Sequence, residues 1–320
     1  MSANSLDLEA PPAADAAARA RSAARLEGHP LLPYLLVLPA TLYLVVFQIV
    51  PLLQELGLSF TATSLLSSNH SEWVGLSNYR DLIGDPDFRK TILITLVYTV
   101  VCVVAAISLG LVSALLLDAP FRGRGIARAA ITIPWAAPPV AVALTAIWIF
   151  NAQYGVFGHV LRFFGLEAGS QNWLDSMDYA LPAILMVTVW QIFPFASVVI
   201  LAALQGVPHE QREAAIIDGA DRLNVFKAVV WPTIQPSVML LALFSTIWSL
   251  RRFDLIWLLT QGGPVGATNT LVIDVYRRAF VNQHLGQGAA VGMVGVAIAL
   301  VVTVVYFKVT ARVARAGGSR

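Results

Sequence analysis

The sequence predicts an all-α integral membrane protein with six transmembrane helices and both termini in the cytoplasm. Three observations carry this. Hydrophobic residues make up 57% of the 320, charged residues only 12%, and the mean hydropathy is +0.71; a soluble domain carries roughly 25% charged residues. Six apolar runs, at 31–53, 91–117, 129–150, 179–204, 236–259 and 288–310, approach or exceed the length of about 20 residues that crosses a bilayer as helix. Lipid offers no partner to an unpaired backbone amide, so each run must be helical. Third, Arg19, Arg21, Arg25, Arg122, Arg124, Arg128, Arg212, Arg222, Lys227, Lys308, Arg312, Arg315 and Arg320 fall on the N-terminal side of the membrane, and outnumber Arg80, Arg89, Lys90, Arg162, Arg277 and Arg278 opposite. Such a bias puts both ends inside the cell.

Residues 1–30, rich in Ala and Arg with Pro11-Pro12, read as a disordered cytoplasmic tail. The first run opens on Pro30 and Pro33, is too long for a signal peptide and has no small-residue cleavage site after it, so it is read as a retained span. Residues 54–90 form a long polar loop with a turn at Gly84-Asp85-Pro86-Asp87. The second run is overlong and is expected to tilt or project. The stretch 151–178 is polar and carries Trp173, and 260–287 starts with the sharp turn Thr260-Gln261-Gly262-Gly263-Pro264. Gly286, Gly288, Gly292 and Gly295 suit close helix packing. A C-terminal tail, 311–320, closes the chain beyond a membrane domain of 31–310.

The loop 205–235 is a charged island between two apolar runs. Pro208 ends the preceding helix. Glu210, Glu213, Ala214 and Ala215 then form a short helix whose alanines leave a smooth surface, with Glu213 offering one charge to a partner's arginine. Gly219 permits a turn denied to other residues. Leu223, Val225, Phe226 and Val229 give a second helix one apolar face, and Pro232 and Pro236 mark the return to the membrane. An amphipathic loop lying on lipid headgroups satisfies the same periodicity, so the pattern alone leaves both readings open.

Glu213-Ala214-Ala215, then Gly219, Val229 and Trp231-Pro232 resembles the EAA loop of permease subunits of ABC importers. Val stands where Ile is usual and Trp where Leu is, with the spacing kept. Asp218-Gly219-Ala220, Val74-Gly75-Leu76-Ser77-Asn78-Tyr79, Ile133-Pro134 and Leu259 to Pro264 are similar to the sugar-importing branch, over about residues 33–310 and in the order of the first of two unlike permeases. The resemblance implies a type I importer fold in the bacterial inner membrane. It also implies four kinds of companion: a second permease sharing the pore, two cytosolic ATPases using ATP and Mg, an extracytoplasmic binding protein, and a carbohydrate cargo. Glu213, Ala214, Ala215, Asp218 and Gly219 would then couple to an ATPase. No GxxxxGK[ST] loop is present, so this chain is expected neither to hydrolyse ATP nor to be an enzyme alone.

Substrate contact is expected from the fifth run, at Trp248, Arg251, Arg252 and Asp254, with Phe253 and Trp257 flanking them. Charge at membrane depth is costly and faces water or a partner, and aromatic rings suit the apolar face of a sugar. Arg251 and Asp254, three apart, would share a helical face; the structural alternative is that they pair with each other while Arg252 snorkels outward. Two arginines point to an acidic cargo, although guanidinium also binds neutral hydroxyls. In the fourth run Trp190 and Gln191 are weaker candidates, because a lone Gln between apolar residues more often bonds a neighbouring helix. Asn151 and Tyr154 read as an interfacial anchor.

Cys102 is the single cysteine and reads as a packing residue; His29, His70, His159, His209 and His284 lack ligand spacing, so no metal or cofactor is expected. A net charge of +2 without a basic stripe gives no reason to expect nucleic acid. Two other classes stay open: an ion-gradient secondary transporter, for which Asp254 is the one acid placed well inside a run, and a membrane protein that transports nothing.

Overall fold

The computed structural model describes residues 31–66 and 72–317; the expected tail 1–30 lies outside them. Contacts divide the chain into two units, 1–55 and 56–320. In the first, α1 (Leu32–Leu44) passes through a π turn, Val45–Ile49, into α2 (Val50–Leu58). No side chain from Tyr34 to Pro51 is buried, as a helix apolar on all sides requires of a lipid setting. The helix reaches Leu58, beyond the expected end at 53.

The second unit is a helix bundle, and its strand content among the described residues is one isolated bridge, Thr61 to Trp73. After α3 (Ser77–Gly84), Asp85 caps α4 (Pro86–Asp118), its Oδ1 accepting from the Asp87 amide at 2.9 Å. The expected second run, 91–117, is the inner part of this 33-residue helix. It packs along α8 (Ala180–Gln205), which matches the expected 179–204. They come close at Gly110, where a Cβ would stand 2.6 Å from Ala196 Cβ and 3.0 Å from the Ser197 nitrogen; only glycine lets the backbones come so near.

The third run is not one straight helix. α5 (Arg124–Ala136) and α6 (Pro139–Ile149) meet at 92°. Pro138-Pro139 causes the bend, because a residue before proline is pushed out of the helical region: Ala137 (ψ 133°) and Pro138 (ψ 134°) are both extended. Among the described residues five helices are long and apolar enough to cross a membrane, and six if this bent pair is one span.

The stretch 151–178 folds as a packed cap rather than an open loop. α7 (Val156–Phe163) and two 3-10 turns close over Trp173, whose Nε1 donates to the Ala168 carbonyl at 2.9 Å and whose ring meets Phe150, Phe157 and Tyr179.

Beyond α9 (His209–Ile217) and α10 (Arg222–Val225), no loop separates the second helix of the charged island from the fifth run. Helix continues from Arg222 through a π turn, Phe226–Val230, into α11 (Trp231–Leu250). The Trp231 amide bonds back five residues to Phe226, so the ladder is reset just ahead of a proline that cannot donate. The π turn before Pro51 does the same, with Val50 bonding Val45. The helix stops instead at Leu250, short of the expected 259, and resumes as α12 (Asp254–Thr260).

After α12 comes a turn that needs Gly262: its φ is +87°, and a Cβ there would meet Ile273 Cγ2 at 2.9 Å. Asn269 Nδ2 donates to Thr91 Oγ1 and the Leu271 amide to Thr95 Oγ1, both at 2.9 Å, fixing this segment to α4. α13 (Leu271–Tyr276) leads to α14 (Leu285–Gly317), which contains the expected 288–310 and runs past it. Gly286 packs on the Thr61 carbonyl and Gly288 on Ala279, while Gly295 faces open space. The Asn78 amide clamps the same corner, donating to the Ser59 and Thr61 carbonyls at 2.9 Å each. Cys102 is buried in the core with Tyr98 and Ile184.

Candidate translocation site

Two interruptions in the bundle meet across one side chain. Gln191, buried in mid-α8, donates from Nε2 to the Ala137 carbonyl at 3.2 Å, at the bend between α5 and α6. Its Oε1 accepts from Arg252 Nη2, in the gap between α11 and α12. The prolines at 138 and 139 carry no N–H, and the glutamine satisfies a carbonyl at that bend. Irregular backbone inside a membrane bundle is tolerated where protein or a water-filled cavity surrounds it.

The gap rearranges the charges expected on a continuous helix. Arg251, Arg252 and Phe253 are outside both helices, so Arg251 and Asp254 do not share a helical face. Arg252 Nε lies 3.7 Å from Asp254 Oδ1, and its guanidinium turns inward to Gln191 rather than snorkelling. Arg251 is exposed and has no ion-pair partner among the described residues. Of the two cations, one is thus neutralised by a neighbour and the other is open.

Trp190 is 48% exposed and lines a cleft of 430 Å³ with Ala137, Thr145, Phe150 and Met186, beside the α5–α6 bend. Trp248, 41% exposed, belongs to a stack that the sequence reading missed: Trp135 to Phe195 at 5.5 Å and Phe195 to Trp248 at 5.1 Å. Trp135 stands two residues before the Ala137-Pro138-Pro139 break, which was the available signal. On the other side of the gap, Phe253, Trp257, Tyr276 and Phe280 form a second aromatic series. Aromatic faces thus flank the Arg252–Gln191 junction from both directions. Asn151 makes a local turn, its Oδ1 accepting from the Gln153 and Tyr154 amides.

The hinged segment is formed as its sequence implies. Gly219, φ +85°, closes α9 in a Schellman motif: the Ala220 amide bonds the Ala215 carbonyl and the Gly219 amide bonds that of Ile216, both at 3.0 Å. A Cβ at 219 would meet nothing within 4 Å, so backbone conformation alone demands the glycine. Asp221 caps the next helix through the Asn224 amide at 2.8 Å. On α9, Glu213, Ala214, Ile216 and Ile217 are exposed, with Ile217 at 84%. A charged side chain and two bare isoleucines thus share one short exposed helix. Among the described residues no group of His, Cys, Asp and Glu is placed to hold a metal.

Long apolar helices, two of them interrupted around a polar junction, define a multi-pass membrane protein. A family model described as the binding-protein-dependent transport system inner membrane component matches residues 106–315, and the chain belongs to this family. It is 34% identical to the sulfoquinovosyl glycerol transport system permease protein of Agrobacterium fabrum, over 88% of this chain and 91% of that one. It is also 34% identical to the trehalose/maltose transport system permease protein of Thermococcus litoralis, over 87% and 93%. The fold matches a chain of the bacterial alginate ABC transporter crystallised with an alginate pentasaccharide-bound periplasmic protein, with a TM-score of 0.77 at 20% identity, covering 88% of this chain and 94% of that one. The chain is a multi-pass ABC-importer permease of the sugar-transport type.

Proposed function

We propose that the chain forms, with a second and unlike permease, the pore through which two ATPases drive import of a carbohydrate delivered by an extracytoplasmic binding protein. The observation that carries this is the exposed helix α9, with Glu213 unpaired among the described residues beside bare Ile216 and Ile217. In this reading both termini and the segment 205–235 are cytoplasmic, and the membrane is the bacterial inner one. Glu213, Ala214 and Ala215 seat on an ATPase, while Asp218 and Gly219 set the angle at which α9 joins the membrane helix. ATP and Mg act on the ATPases, and this chain does no chemistry.

The cargo is read as an oligosaccharide or polyol that stacks on Trp248 and Trp190, with Arg251 offering the open charge. An acidic cargo rests on Arg251 more than on Arg252, whose charge Asp254 already meets. Gln191 and Asp254 then shape the site by holding Arg252. Asp254, the one acid the sequence offers an ion-gradient transporter, lies beside Arg252, 3.7 Å from its Nε, and is read here as its ion-pair partner.

The test is Glu213→Ala in the assembled transporter. Uptake should be lost while the binding protein still captures sugar. Full uptake in the variant, or uptake that survives ATP depletion and collapses with an uncoupler, overturns the reading. For the cargo, binding of neutral and acidic oligosaccharides is compared in wild type, Arg251→Ala and Arg252→Ala; unchanged binding in both variants removes the pocket assignment.

A further inference from the structure

Most of α9 stands clear of the rest of the chain. Only Arg212 and Ala215 of its residues are partly covered; the others are exposed. Arg212 is also the one α9 side chain that makes a hydrogen bond or ion pair among the described residues. Its Nη1 lies 3.4 Å from Asp118 Oδ2, and its Nη2 donates to the Leu204 carbonyl at 3.3 Å. Asp118 is the last residue of α4, the 33-residue helix that crosses the bundle. Leu204 is in the last turn of α8, which carries Gln191. One guanidinium therefore touches the ends of both packed helices.

The surroundings leave this contact room to move. A cavity of 460 Å³ opens beside it, lined by Leu115, Asp118, Pro120, Leu204, His209 and Arg212. Arg212 Nε is buried there without a hydrogen-bond partner. A purely structural anchor would be expected to satisfy that nitrogen. The backbone route from α9 to α8 runs through Gly206, Val207 and Pro208, a short non-helical connection. A load applied to α9 thus has two paths into α4 and α8, this link and the planar fork of Arg212, beside the route through Gly219 and α10 into α11.

We infer that Arg212 is a positioning residue that passes the displacement of α9 to α4 and α8 through Asp118 and the Leu204 carbonyl. This rests on the reading of α9 as the ATPase-facing element and names the side chain that takes up its motion. Guanidinium suits the task because its fork bonds a carboxylate and a carbonyl at once from one rigid plane, which an ammonium on a flexible stem does less firmly.

The experiment uses the complete transporter with its binding protein and ATPases in proteoliposomes. It measures sugar transported per ATP hydrolysed in Arg212→Ala, Asp118→Asn, the double variant, Arg212→Lys and Glu213→Ala. Each of the first two should lower the ratio on the order of five- to tenfold, the size of coupling carried by single contacts. The double variant should be no worse than the poorer single one, because both act through one bond, and Arg212→Lys should recover part of the loss. An unchanged ratio in Arg212→Ala and Asp118→Asn, with uptake falling only in step with the amount of assembled complex, overturns the inference. So does a double variant that loses the product of the single losses. If Arg212→Ala does not assemble, Asp118→Asn and Arg212→Lys decide the question on the same ratio. Glu213→Ala separates the two levels: a normal ratio there sinks the ATPase-facing role of α9, whereas uncoupling there with normal Arg212 variants sinks only the strut.

Discussion

Arg278 holds two acids on neighbouring elements, and its removal has a size that follows from burial. Nη2 lies 2.9 Å from Asp85 Oδ2, at the start of α4, and Nε lies 2.9 Å from Asp274 Oδ2, on α13. Arg278→Leu keeps most of the aliphatic bulk and deletes both contacts. Asp274 is 6% exposed and would keep only the Asn269 amide, 3.3 Å from its Oδ1. Stranding a buried charge in this way costs about 3–5 kcal/mol. The Asp85 side chain is 31% exposed, so solvent screens that arm and it adds about 0–1 kcal/mol. We set the sum at about 3 kcal/mol, at the lower end because Arg278 itself is partly solvated. Denaturant titration of the purified permease in mixed micelles, followed by helical circular dichroism, reads the difference. Arg278→Leu with Asp274→Leu should regain at least part of it, because an apolar pair can replace a buried ionic one without loss. A penalty below about 1 kcal/mol, the range of exposed pairs, or a double variant as weak as the single one, would refute the reasoning.

Acid should weaken the same clamp. Burial alone would raise the Asp85 carboxyl, but the Arg278 guanidinium and the Asp87 amide outweigh it and hold the group below the usual carboxylate range. A depressed folded value gives stability that is complete above the unfolded value of about 4 and is lost as pH falls through the lower folded one; the gap between wild type and Asp85→Asn in unfolding midpoint should therefore close only in strong acid. Gly110→Val should cost about 1–3 kcal/mol by overpacking against Ala196, seen as an earlier unfolding midpoint, while valine at Gly295, where a Cβ meets nothing, should leave the midpoint in place. Gln191→Leu should cost about 1–3 kcal/mol because it leaves the Ala137 carbonyl and Arg252 short of a partner, measured in the same titration.

The apolar runs were legible because a membrane forces one rule on every residue of a span. Residues 179–204 differ from the observed helix by one position at each end. The hinged segment was equally readable, since Gly219, Asp221 and the alanines each have a local reason to be there. What failed was continuity. Pro138-Pro139 was in plain sight and bends the third run by 92°, yet hydropathy averages across it. Pro232, read as marking the return to the membrane, lies inside an unbroken helix, because a π turn absorbs its missing donor. The stop at Leu250 has no proline or glycine near it; it coincides with Arg252 turning to Gln191, sixty-one positions away in sequence. No local pattern announces a partner that distant. Trp135 and Phe195 escaped notice for the same reason, since their stack joins residues from separate helices.

The glutamine at position 191 donates a hydrogen bond to one kink and accepts one from the other. Neither kink can swing alone without forfeiting a bond worth about 1 kcal/mol. The chain's two weak points are in effect fastened as a single knuckle, so an articulation that begins near Ala137 is felt at once by the segment carrying Arg252, with no need for a wire of contacts between them.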